Sequence, residues 1–207
     1  MPPLAVFVDL DGTLVQFDRP YEALTAATLE AHLGTSSSGL VETYSEAFFA
    51  AFGALAPRPY RRGMEAVLDA AGTSADPDAM VDTLQAEEHA ALTVDPAVPD
   101  ALATLSANGP LGVLTNGVRD WQRAKLDHVG LAKYVDAVVA SYDAGAHKPA
   151  LAPFRRAEEM LPADDHLLIG DGDSDVEGAR AAGWRAFRHT DADPFWARPR
   201  PFGGRDE

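Results

Sequence analysis

Two hydrophobic spacings alternate along this chain. Leu4-Ala5-Val6-Phe7-Val8 is an unbroken apolar run, as expected of a strand covered on both faces, and it stops at Asp9. Similar runs recur at Leu111-Gly112-Val113-Leu114, Ala137-Val138-Val139-Ala140 and His166-Leu167-Leu168-Ile169, with a fifth strand expected over Arg185 to Arg188. Between them the spacing becomes helical: Asp100 to Asn108, Val118 to Val129, Pro149 to Leu161 and Val176 to Ala182. Gly109-Pro110, Gly130 and Gly183 mark helix ends. Strand and helix in strict alternation predict an α/β fold with a doubly wound parallel sheet.

One stretch breaks the alternation. From Asp18 to about residue 95 the spacing is helical only. It predicts helices over Tyr21 to Leu33 (Leu24, Ala27, Thr28 and Ala31 on one side), Leu40 to Phe52, Tyr60 to Ala71, and Asp76-Pro77 to about Leu92. A Gly34-to-Gly39 loop separates the first two, and Phe48, Phe49 and Phe52 form an apolar face at helical spacing. Four helices with short loops suit an antiparallel bundle. It follows the first strand, so the expected domains are an α/β core of residues 1–17 and 96–207 and a helical insert of 18–95. Pro96 to Pro99 is the expected return hinge, and the Pro- and Arg-rich tail from Asp193 is expected to be irregular and peripheral.

Composition narrows the function. The 207 residues carry a net charge of −15, which argues against general binding to nucleic acid or to an anionic membrane. No apolar run is long enough to span a bilayer and no leader pattern precedes the first strand, so a cytoplasmic protein is expected. The absence of cysteine excludes disulfides, zinc–thiolate sites and a thiol nucleophile. Lys125, Lys133 and Lys148 are the only lysines, and Asp outnumbers Glu. An acidic, lysine-poor surface stays hydrated where salt screens its self-repulsion, which suggests a halophilic or high-G+C source.

The chemistry gathers at strand ends, which in a parallel α/β sheet open onto the ligand crevice. Asp9 and Asp11 lie two apart and would share a face, with Gly12 turning the backbone away and Thr13 adding a hydroxyl. Two carboxylates so close repel unless a cation lies between them. Strand two ends in Thr115-Asn116-Gly117, a hydroxyl followed by backbone donors at a helix start, which suits an oxyanion. Lys148 follows strand three, just before Pro149, with His147 beside it as a loop residue. Strand four runs into Asp171, Asp173, Asp175 and Glu177, a density of acids that calls for a hard cation with oxygen ligands such as Mg²⁺. The spacing does not fit a calcium-binding EF-hand loop.

These four segments resemble the motifs of the haloacid dehalogenase-like hydrolases, most of which are magnesium-dependent phosphatases. Asp9-Leu10-Asp11-Gly12-Thr13-Leu14 is similar to the first motif, Thr115 to the second, Lys148-Pro149 to the third, and Gly170-Asp171-Gly172-Asp173-Ser174-Asp175 to the fourth. The resemblance implies a Rossmann-like core with a small helical cap inserted after the first strand. It implies Asp9 as nucleophile, Asp11 as general acid and base, and Thr115, Asn116, Gly117 and Lys148 as phosphate-binding residues. Asp9, Asp11 (through its carbonyl), Asp171 and Asp175 are the implied Mg²⁺ site, with Asp175 also able to orient Lys148. The expected substrate is a small phosphorylated metabolite, read by the cap. Arg58, Arg61 and Arg62 are the cap's densest basic cluster, either a solvated helix start or an anion-facing group.

Other readings stay open. A dehalogenase of the same family would not need an acid at position 11, because halide leaves without a proton. A phosphomutase would reuse the phosphorylated aspartate, and a non-catalytic binding module could share the fold.

Overall fold

In the computed structural model, residues 4–197 are described. In chain order the elements are β1 (Leu4–Val8), β2 (Gln16–Phe17), α1 (Tyr21–Leu33), α2 (Ser38–Gly53), α3 (Pro59–Ala71), α4 (Pro77–Ala91), β3 (Leu92–Thr93), α5 (Val98–Asn108) and β4 (Leu111–Thr115). There follow α6 (Arg119–His128), β5 (Ala137–Ala140), α7 (Ser141–Ala144), α8 (Leu151–Met160), β6 (Asp165–Gly170), α9 (Asp173–Ala181) and β7 (Arg185–Arg188). The chain divides into two units, residues 1–16 with 94–207, and Phe17–Thr93. The short strands β2 and β3 pair where the chain passes between the units.

The first unit is an α/β fold. Its parallel sheet has the order β5-β4-β1-β6-β7, with Val8 in register with Val113 on one side and Ile169 on the other. The chain leaves β1 toward β4 and leaves β6 toward β7, so the connections diverge between β1 and β6. That divergence opens a crevice beyond the carboxyl ends of these two strands. The central strands are buried along their length because helices cover both faces. Phe7, Leu114, Val139, Phe154, Leu168 and Trp184 form one core cluster. Trp184 packs edge-on against Phe154 with centroids 5.2 Å apart, and its indole N–H donates to Glu158 at 2.8 Å. The polar end of this large ring is thereby satisfied.

The second unit is the helical bundle. Its core is built on Val41, Tyr44, Phe48 and Ala51 of α2 and Met64, Val67 and Leu68 of α3. Phe48 stacks on Tyr44 and lies against Phe52 and Tyr60, whereas Phe49 is 63% exposed. The expected three-Phe face is therefore turned: one helical position of rotation carries Phe49 outward and Tyr44 inward. On α1 the buried side is Leu24, Thr25, Thr28 and Leu29, with Ala31 exposed.

Boundaries differ where local chemistry outweighs periodicity. Helix α9 starts at Asp173, three residues before the expected Val176, because the Asp175 carboxylate accepts the Gly172 N–H at 3.0 Å and caps the first turn. The Pro149 helix starts later, at Leu151, and a short extra helix, α7, precedes the Lys148 loop. The return into the first unit comes at Leu92–Thr93, and Pro99 lies inside the first turn of α5, where a missing N–H costs nothing. Phe195 of the tail is buried against His189 and Trp196, so the tail is not wholly peripheral. The rest of the Pro/Arg-rich tail, from 198 on, lies outside the described residues.

Candidate active site

The site is assembled at the divergence of β1 and β6. Asp9 follows β1 directly, held by a bond from its N–H to the Ile169 carbonyl at 2.8 Å. Asp171 follows β6, and Thr13 Oγ1 donates to its Oδ1 at 2.9 Å. The two turns approach so closely that a Cβ on Gly12 (φ +88°) would stand 2.6 Å from Asp171 Oδ2, and one on Gly170 would stand 2.5 Å from the Asp175 carboxyl carbon. Only glycine satisfies both positions, which accounts for two residues of the motif in steric terms.

Asp9, Asp171 and Asp175 each offer a carboxylate oxygen, all within 4.8 Å of one another. Lys148 joins this group. Its Nζ lies 2.7 Å from Asp9 Oδ1 and 2.5 Å from Asp175 Oδ1, and donates to the Leu114 carbonyl at 2.8 Å. Burial pushes the Asp9 carboxyl up to about 7; Lys148 opposes the rise, while Asp175 and Asp11 add to it. The Lys148 ammonium is held above its usual range despite burial, because Asp9 and Asp175 both face it. One ammonium thus pairs with two of the three carboxylates, and the donor set, all hard oxygen, fits a divalent cation such as Mg²⁺.

The Asp11 carboxylate stands outside that trio. It accepts from Lys125 Nζ at 2.9 and 3.1 Å and from Gln122 Nε2 at 2.8 Å. The same Gln122 nitrogen donates to Thr115 Oγ1 at 2.8 Å and to the Asn116 carbonyl at 3.2 Å. Thr115 is buried at the end of β4.

Asn116 and Gly117 are tied into the loops that carry Lys148 and Ser141. The Asn116 amide brackets the Lys148 backbone, accepting from its N–H at 2.8 Å and donating to its carbonyl at 3.3 Å. The Gly117 N–H is committed to Ser141 Oγ at 2.9 Å, so it does not point free as an anion donor. Ser141 in turn meets His147 Nδ1 at 2.8 Å, which makes His147 a brace of this loop rather than a bystander.

Sequence reasoning missed Gln122, Lys125 and Arg188. Arg188 of β7 donates to the Asp171 carbonyl at 2.7 Å and to Asp173 Oδ1 at 2.6 Å, fixing the acidic loop and drawing Asp173 away from the carboxylate trio. Gln122 and Lys125 lie three apart on the buried side of α6 with Trp121 and Leu126, a spacing that by itself does not set them apart from solvent-facing polar residues.

In the helical unit, Arg61 pairs with Glu65 at 2.7 Å and with Asp78, and Arg62 donates to the Pro57 carbonyl at 3.0 Å. Two arginines of the expected cluster are thus engaged within their own unit, as in a solvated helix start.

A parallel α/β sheet with an acidic crevice at its strand divergence, a buried lysine beside it and an aspartate at the end of β1 defines a class of hydrolases. The chain belongs to the haloacid dehalogenase-like hydrolases, whose family pattern it matches over residues 3–183. It is 32% identical over 190 residues to a phosphoglycolate phosphatase of Pseudomonas syringae pv. tomato, covering 88% of this chain and 67% of that protein. A plasmid-borne phosphoglycolate phosphatase of Cupriavidus necator is 33% identical, with 88% and 79% covered. Among solved structures, a 2-haloacid dehalogenase of Pseudomonas syringae pv. tomato superposes with a TM-score of 0.71 at 28% identity, covering 91% of this chain and 86% of that one.

Proposed function

We propose that this phosphoric monoester hydrolase releases phosphate from a small phosphorylated metabolite through an aspartyl-phosphate on Asp9, with Mg²⁺ as cofactor. The observation that supports this most is the group of three close carboxylates, Asp9, Asp171 and Asp175, of which Asp9 and Asp175 share the Lys148 ammonium. Asp9, Asp171 and the Asp11 carbonyl would hold the metal, with Asp175 orienting Lys148. Bound there, Mg²⁺ supplies positive charge that offsets the repulsion between a carboxylate and a phosphate ester.

The chain's own residues divide the remaining work. An Asp9 oxygen attacks phosphorus, forming the Asp9–phosphorus bond as the ester oxygen leaves with a proton from Asp11. Water then attacks the same phosphorus, gives its proton to Asp11, and releases phosphate with Asp9 restored. Lys148 and the Thr115 hydroxyl face the phosphoryl oxygens as charge shifts. The Asn116 bracket keeps the Lys148 backbone in place through both steps. The helical unit, residues 17–93, takes the part of a cap that reads the leaving group.

The dehalogenase likeness favours a second reading, attack by Asp9 on a carbon–halogen bond. Asp11 argues against it, since two side chains hold a proton-transferring carboxylate that halide departure does not use.

The test is phosphate release from a panel headed by phosphoglycolate and including sugar phosphates and nucleoside monophosphates, with Mg²⁺ or EDTA and with Asp9→Asn as blank. Metal-dependent release lost in Asp9→Asn is expected. Halide release from 2-haloacids without phosphate release would replace this reading with the second. The acidic, lysine-poor composition further suggests a salt-adapted protein, for which Tm rises between low and molar salt; a flat Tm contradicts it. No helix among the described residues is long and apolar enough to cross a membrane.

A further inference from the structure

Lys125 is 5% exposed and Gln122 1%, on a helix whose other charged residues face outward. A buried ammonium is costly unless paired, and Lys125 finds its pair in both oxygens of Asp11. Gln122 adds a link: one amide nitrogen touches Asp11 and Thr115, each at 2.8 Å. Asp11 also lies in the turn whose tight geometry Gly12 permits, so its carboxylate is tied to β4 and α6 from one side and to β1 through the backbone from the other.

We infer that Lys125 and Gln122 are a positioning pair for Asp11, fixing its carboxylate against Thr115 so that it meets the leaving oxygen and then the attacking water. This rests on the phosphatase reading above. It goes beyond that reading by assigning a role to a second buried lysine, distinct from Lys148, and to an amide that joins the acid to the phosphoryl-facing hydroxyl.

The two proton transfers make the role separable from mere structural support. An alkyl phosphate needs the Asp11 proton in the first step, because an alkoxide leaves poorly. p-Nitrophenyl phosphate does not, because p-nitrophenolate departs as the anion while the Asp9–phosphorus bond forms. Both esters need Asp11 in the second step, to take the proton of the attacking water. Losing the positioning pair therefore lets Asp9 become phosphorylated from the aryl ester and then slows its release.

The experiment is stopped-flow kinetics with p-nitrophenyl phosphate beside steady-state turnover of the best alkyl phosphate, comparing wild type, Lys125→Met, Lys125→Arg and Gln122→Leu. In Lys125→Met the expected result is a p-nitrophenolate burst approaching one per protein molecule, at a rate within about threefold of wild type. Steady-state turnover of both esters should fall roughly 100-fold. Lys125→Arg should recover part of this, since it keeps a cation beside Asp11. Added to Asp11→Asn, Lys125→Met should cause no further loss. Burst and steady state falling together in folded protein, or full additivity with Asp11→Asn, would overturn the inference. Should Lys125→Met fail to fold, Gln122→Leu carries the same comparison with the same two outcomes. Wild type inert toward both esters would instead remove the phosphatase reading itself.

Discussion

The two units differ in how they arrange their buried polar groups. In the α/β unit four of them are acids or lysines gathered where the strands end: Asp9, Asp175, Lys125 and Lys148 are all nearly inaccessible and lie within two linked clusters. In the helical unit the buried polar groups are chiefly neutral and dispersed among the helices. Thr28 there satisfies itself on the Leu24 carbonyl, and burial pushes the Tyr21 and Tyr44 phenols up, so both stay protonated. The helical unit does bury one acid, Glu88 of α4, near the Tyr21 and Tyr44 phenols, while the Arg61–Glu65 pair lies near the surface. A fold stabilises itself readily with neutral buried groups. Charges packed beyond the ends of strands cost free energy, which argues that the α/β unit keeps them for chemistry.

The sharpest way to break this contrast is to remove one charge from the α/β unit. Lys148→Met leaves Asp9 and Asp175 facing each other without their ammonium, and unfolding measurements should show a loss of about 3–5 kcal/mol. A change below about 1 kcal/mol would mean that these carboxylates need no counter-charge. The helical unit should answer to packing instead. Phe48→Ala, at the centre of the aromatic cluster, should cost about 3 kcal/mol, and the exposed Phe49→Ala less than about 0.5 kcal/mol by the same measurement. Equal costs would show that the bundle core is misassigned.

Metal sharpens the comparison at a smaller scale. Mg²⁺ at a hundred times its Kd should raise stability by about 2.7 kcal/mol. Calorimetry should show that gain abolished in Asp171→Asn and retained in Phe49→Ala. The smallest effect concerns His189, buried beside Phe195 and Trp196. Burial holds its imidazole below the usual range, although Asp171, Asp191, Asp193 and Asp95 pull the other way. Its unfolded form takes a proton first as pH falls, so its contribution is complete above about pH 6.5 and is lost progressively below it. Denaturant titrations at pH 8 and pH 5.5 should show a drop that His189→Gln reduces.

Much of this was legible in the sequence, for a physical reason. A strand buried on both faces has no polar alternation, so Leu4–Val8, Ala137–Ala140 and the run before Asp171 announce themselves, together with the residues that end them. Acids that follow such strands stand out against their surroundings, and so did Asp9, Asp11, Asp171 and Asp175. Lys125 and Gln122 did not, because on a helix a lysine facing inward and one facing solvent look alike until a partner is known. Asn116 was legible as part of a turn, but the bonds its side chain makes to the Lys148 backbone, 32 residues away in the chain, were not. The Phe49 error has the same origin: adjacent phenylalanines leave the facing side undecided by about one helical position, and only packing against Tyr60 and Tyr44 decides it.

The central claim is covalent chemistry at Asp9, and it is tested most directly by trapping. Protein turning over p-nitrophenyl phosphate with Mg²⁺ would be quenched in acid, digested and mapped by mass spectrometry. A phosphate adduct is expected on the peptide containing Asp9, labile to hydroxylamine and absent in Asp9→Asn. Turnover with no adduct under conditions that preserve acyl phosphates, or an adduct on Asp11 or Asp171 instead, would contradict it.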